Sequence, residues 1–177
     1  MDKSFEKKYS LILNRLQNGL NHESFMLDGS FFSHFEHAPI QDCSLTIELD
    51  IFKSDDRLEV TFHISGAVVA SCDRCAEDMN LPVSSEEKII YAFSEKMKEA
   101  GDTEMMYLNP LSAELVLVQE CYDFSCIAVP FRKVHEEVGE TCNPEVMKYI
   151  IKDSEEEEKE IDPRWENLQK ISQKNKK

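Results

Sequence analysis

Glycine is scarce in this chain, with five in 177 residues. None falls in a phosphate-cradling pattern, so a P-loop or a dinucleotide fingerprint is excluded. A Gly-x-Ser-x-Gly elbow and a His-Glu-x-x-His pair are also missing, which removes two common hydrolase signatures. No apolar run approaches the ~20 residues a membrane helix needs. The opening MDKSFEKKYSLIL lacks the apolar region and small-residue cleavage site of a signal peptide, so the expected location is the cytoplasm. Positive charge is in deficit: 20 Lys and Arg stand against 35 Asp and Glu, for a net charge of −15. Such a chain repels a phosphate backbone on average. A basic protein partner fits its field better, although solubility alone also accounts for the charge. There is one tryptophan, Trp165.

What is present suits one globular domain with a tail. Hydrophobic residues make up 41% and charged residues 31%. Apolar residues at 9, 12, 13 and 16 have helical spacing, and Gly19 could end a short helix. A strand is expected over 22–27, before the turn signal Asp28-Gly29. Phe31, Phe32 and Phe35 form an aromatic knot that belongs in a core. From 43 to 51 the odd positions are Cys, Leu, Ile, Leu and Ile. From 58 to 64 the even positions are Leu, Val, Phe and Ile. Two alternating runs joined by Lys53-Ser-Asp-Asp56 predict an antiparallel hairpin. Gly66 marks a bulge or kink in the second strand. A further strand over 79–93 carries Leu81, Val83, Ile89, Tyr91 and Phe93 on one parity, with Pro82 pointing to an edge. A loop over 94–104 and a short strand over 105–108 follow. Asn109-Pro110 reads as a helix start, with the helix running through Leu111, Leu115, Val118 and Tyr122 and stopping before Pro130. A polar segment over 131–143 precedes a second short helix from Pro144 to about Ile151.

Residues 153–161 form an acidic linker. Asp162-Pro163 starts a terminal segment in which Trp165, Leu168 and Ile171 recur at three-residue spacing, followed by a basic end. The expected organisation is therefore a domain over 1–152, the linker, and a short amphipathic helix with its tail over 162–177. The expected fold is α+β: an antiparallel sheet of four to five strands with a few helices packed on one side or end.

Six cysteines stand at 43, 72, 75, 121, 126 and 142. In a reducing compartment they are thiols or metal ligands rather than disulfides. Cys43, Cys121 and Cys126 lie in apolar stretches and read as core. Cys72-Asp-Arg-Cys75 at a strand end can supply two thiolates to a metal, and tetrahedral zinc needs two more ligands. His135 and Cys142 on one downstream loop are the candidates. Three readings stand side by side: a structural zinc site, a redox pair, and reduced turn cysteines that hold no metal. His22, His34, His37 and His63 show no ligand spacing. Arg74 could project toward a carboxylate or phosphate, or pair with Asp73, Glu77 or Asp78.

The ordered set is more specific than any one motif. It comprises Gly66 before Cys72-Asp-Arg-Cys75, the segment 111–122 leading to Val129-Pro130, and Phe131-Arg-Lys-Val-His135. Cys142 with Asn143-Pro-Glu-Val146 follows, then Asp162-Pro-Arg-Trp165 with Leu168. Leu16, Gly19 and Phe31-Phe32 complete it. In these features the chain resembles the YceD family of large ribosomal RNA subunit accumulation proteins. The resemblance implies a bacterial, non-enzymatic role in accumulating 23S ribosomal RNA, without membrane or small-molecule substrate. It also implies that Cys72, Cys75, His135 and Cys142 belong together. From the charge, the expected partner is a basic ribosomal protein or assembly factor. Direct contact with a pre-23S particle would use Arg74, Arg132, Lys133 and the segment around Trp165. The rival expectations are a zinc-stapled adaptor unrelated to ribosomes and a thiol oxidoreductase using Cys72 and Cys75.

Overall fold

The computed structural model describes residues 3–94 and 105–151. A five-stranded sheet forms its centre. Strand β1 (Ser10–Ile12) stands apart from it, while β2 (Gly19–Asp28), β3 (Cys43–Lys53), β4 (Arg57–Ser71) and β5 (Asp78–Phe93) follow one another as antiparallel neighbours. Strand β6 (Met105–Leu108) completes the sheet and runs parallel to the end of β5, pairing Ile90 with Met105. The architecture is α+β with a mostly antiparallel sheet.

Alternation builds this sheet. In β3 the odd residues from Cys43 to Ile51 are buried, and in β4 Leu58, Val60, Phe62 and Ile64 meet them on the same face. The register is continuous from Lys53↔Leu58 to Cys43↔Val68. Gly66 therefore marks a kink and not a bulge. Its φ is +143°, and a Cβ there would overlap the carbonyl oxygen of Ser44. The strand passes so close to its neighbour that only glycine fits. Among the described residues, β6 pairs only with residues 90–93 of β5, so Pro82 meets no strand on that side.

Helices cover one face of the sheet. Helix α1 (Lys3–Lys8) and the short α2 (Gly29–Phe32) bring Phe5 and Phe31 against Tyr9, and Phe32 packs on Phe31. These edge-on ring pairs each contribute about 0.5–1.5 kcal/mol beyond the area they bury. Helix α3 (Val118–Ala128) sets Phe124 edge-on to Phe62, with ring centroids 5.0 Å apart. The opposite face carries exposed Leu20, Met26 and Phe52 among polar residues.

Two helix expectations are corrected. Residues 9–19 do not form a helix. Tyr9, Leu11 and Leu13 are buried while Ile12 is exposed, so the real period is two, and β1 pairs with β7 (Glu114–Val116). Gly19, at φ +97°, opens β2 and does not close a helix. Nor does Asn109-Pro110 start one. The Asn109 side chain accepts a hydrogen bond from the Leu111 N–H, closing a turn, and Leu115 enters β7 opposite Leu11. Helix α3 begins only at Val118. Helix α4 (Pro144–Ile151) follows as expected. The loop expected over 94–104 lies almost wholly outside the described residues, and the linker over 153–161 and the terminal helix with Trp165 lie entirely outside them.

Candidate metal centre

Cys72 and Cys75 sit in the turn between β4 and β5. The turn is closed by bonds from the Ala76 N–H to the Cys72 carbonyl and from the Cys72 N–H to the Glu77 carbonyl, at 2.9 and 2.8 Å. Ala76 takes φ +59°, a left-handed conformation that helps the chain reverse within the six residues 72–77. The other two residues come from the segment between α3 and α4. His135 opens a 3-10 turn, His135–Val138, that ends at Gly139 with φ +77°. Cys142 immediately precedes Asn143 and the start of α4.

The fold brings all four together. One ligand atom from each of Cys72, Cys75, His135 and Cys142 lies within 4.8 Å of every other. The Sγ atoms of Cys72 and Cys142 are 3.8 Å apart, and Cys75 Sγ is 3.4 Å from His135 Nδ1. Cys72, Cys75 and His135 are buried and Cys142 is half-buried. Three sulfurs and one imidazole in so small a volume are compatible with a metal ion.

A second set of bonds holds the two segments in place. The Asp73 N–H donates to the Lys133 carbonyl, and the Lys133 N–H donates back to the Asp73 carboxylate, both at 2.7 Å. Asn143 Nδ2 donates to Glu77 at 2.6 Å. Arg74 pairs with Glu136 on the opposite segment, and not with Asp73, Glu77 or Asp78. None of these contacts shows in the sequence spacing, because each joins residues at least sixty apart. Glu140 lies 3.9 Å from His135 Nε2, on the far side of the ring from Cys75.

The local field favours a thiolate. Burial opposes charge on Cys72, but N–H groups of Cys75, Arg74 and His135 point at its sulfur and bring its pKa down to about 6. Burial, together with the neighbouring Cys72 and Cys75 sulfurs, pushes the Cys142 thiol up. Away from the cluster, burial raises Cys43 to about 11 and also lifts Cys121 and Cys126, which pack in or against the core as expected. Arg132 and Lys133 face Glu137 and Asp73 at 3.5 and 3.7 Å. One cluster has no signal in the sequence: His22 and His63 converge on Asp50 from two neighbouring strands, at 2.6 and 3.2 Å.

Fold and site define an α+β protein with a Cys3His cluster that joins a β-turn to a distant loop. The family model for the large ribosomal RNA subunit accumulation protein YceD matches residues 60–172, and the chain belongs to that family. The match takes in all four cluster residues, whereas Leu16, Gly19, Phe31 and Phe32 lie before it. No curated protein and no solved structure matches the chain. Among the described residues no helix is long and apolar enough to cross a membrane.

Proposed function

We propose that this chain is a non-enzymatic ribosome-biogenesis factor of the cytoplasm. It supports accumulation of 23S ribosomal RNA and assembly of the large subunit by binding a basic ribosomal protein or assembly factor. The observation that carries this reading is the family match over residues 60–172. The choice of a protein partner rests on charge. The net charge is −15, and Arg74, Arg132 and Lys133 each already face a carboxylate. The three cations expected to touch RNA are thus already paired with carboxylates, which weakens their claim on phosphate.

In the same reading, Cys72, Cys75, His135 and Cys142 hold a structural zinc. A tetrahedron with Zn–S of ~2.3 Å and Zn–N of ~2.0–2.1 Å has S–S edges of ~3.8 Å and S–N edges of ~3.6 Å. The observed separations of 3.8 and 3.4 Å agree. Four protein donors close the coordination sphere, so the ion would serve as a cross-link. Glu140 beside Nε2 is placed to orient the imidazole, as carboxylates do at metal-bound histidines.

The low Cys72 pKa favours one other reading, a thiol oxidoreductase. Against it, the pair lies in a turn between antiparallel strands, and not at a helix start. A tagged chain recovered from sucrose gradients tests the proposal. It should travel with large-subunit precursors, and the purified protein should bind a basic ribosomal protein in a salt-sensitive way but not free 23S fragments. Binding to RNA alone would overturn the partner assignment. Insulin reduction by the purified protein would favour the oxidoreductase.

A further inference from the structure

Beside the cluster runs a groove of about 810 Å³. One wall is the end of β4, with Val69, Ala70 and Ser71, where the strand extends past its neighbour β3. The other is the segment after α3, with Val129, Pro130 and Phe131. Phe131 is 100% exposed, and Ile40 contributes to the floor. Asp42, Asp73 and Asp78 stand along the groove. Lys133 faces Asp73, but neither Asp42 nor Asp78 meets a cation among the described residues. A trough lined about equally by polar and apolar surface, with a protruding phenylalanine and a surplus of carboxylates, suits an occupant that is apolar on one side and basic at its end.

The chain carries such a segment. We propose that residues 162–177 dock in cis into this groove, with Trp165, Leu168 and Ile171 against Phe131 and its neighbours, and the basic end beyond them, Lys174 to Lys177, toward Asp42 and Asp78. Spacing of i, i+3 and i+6 places the three apolar residues on one side of a helix. The tether reaches. Helix α4 starts two residues after Cys142, whose sulfur is 3.8 Å from Cys72, and Cys72 adjoins the groove residues Ser71 and Asp73. Eight helical residues span about 12 Å. The spacer 152–161 covers at most roughly 35 Å when extended. A segment tied this closely competes at an effective concentration on the order of millimolar. The family match also runs on to residue 172, so the core and this segment form one matched unit. The inference does not depend on the ribosomal reading or on zinc.

Trp165 is the chain's one tryptophan and reports its own surroundings. In the full chain its emission should be shifted to the blue and quenched by acrylamide several-fold less than free tryptophan. The variants Phe131→Asp and Asp42→Lys/Asp78→Lys change exposed groups, so each should keep the wild-type far-ultraviolet spectrum while moving Trp165 toward solvent behaviour. Solvent-like emission in the wild type would overturn the proposal. So would protected emission that neither variant alters, which would place the segment elsewhere. Protection that vanishes on dilution, with a matching fall in mass by light scattering, would identify a second copy as the source of the segment and refute docking in cis.

Discussion

Replacing Cys142 with Ser tests whether the cluster acts as a staple. The Cys72–Cys142 contact joins positions seventy apart in sequence, and Cys75–His135 joins positions sixty apart. A cross-link closing a loop of that size removes unfolded-state entropy worth about 4 kcal/mol. For a domain of this length each kcal/mol shifts Tm by roughly 3–4 °C, so losing the cross-link should lower Tm by roughly 12 °C. The fold should survive, because Asp73–Lys133, Arg74–Glu136 and Asn143–Glu77 still hold the segments together. The assay is calorimetry of the wild type and Cys142→Ser, each with and without a strong chelator, alongside metal analysis. Chelation should lower the wild type by the same amount and leave the variant unmoved. Cys126→Ser, outside the cluster, should keep both metal and chelator response. A Tm within one or two degrees of wild type in Cys142→Ser, with no chelator effect on either protein, would refute the staple.

Other substitutions probe the frame around it. Gly66→Ala forces a Cβ into the Ser44 carbonyl at a φ that L-residues avoid, and should cost about 3 kcal/mol in urea unfolding. Wild-type stability in that variant would contradict the close passage of the two strands. Ser125 is fully buried, and its hydroxyl finds no partner among the described residues, so Ser125→Ala should be neutral or stabilising by up to about 1 kcal/mol. A clear loss of stability would mean the hydroxyl has a partner. Hydrogen bonds from His22 and, less strongly, His63 hold the Asp50 carboxyl below its ordinary 3.8. Its contribution is complete above that value and fades as pH falls through the lowered one. Asp50→Asn should therefore lose stability at pH 6 but not at pH 2, and an equal loss at both would contradict the pairing.

The hairpin of β3 and β4 is legible in the sequence because one face of each strand is dry and the other wet, so composition alternates with the pleat. The same holds for β5, whose buried Leu81, Val83 and Tyr91 share a parity. Residues 9–13 mislead because exposed Ile12 interrupts the alternation of Tyr9, Leu11 and Leu13. The pairing of β1 with β7 is also a contact across the whole chain, invisible in any local window. Asn109-Pro110 misleads for a different reason. Asn caps turns and helices by the same side-chain hydrogen bond, and only the burial of Leu115 in β7 separates the two outcomes. At the cluster, Cys-x-x-Cys declares two donors through spacing. Proximity of His135 and Cys142 depends on the way the segment after α3 returns to the β4–β5 turn. The bonds that secure it, from Asp73, Arg74 and Asn143, use common polar residues and leave no pattern to read.

The reading of this protein as a large-subunit factor is tested most directly by the ratio of 23S to 16S ribosomal RNA in cells lacking its gene, measured with a sucrose-gradient profile. The account predicts a selective fall in 23S RNA and in large subunits, restored by the wild-type gene and less fully by Cys142→Ser. An unchanged ratio and profile would contradict it.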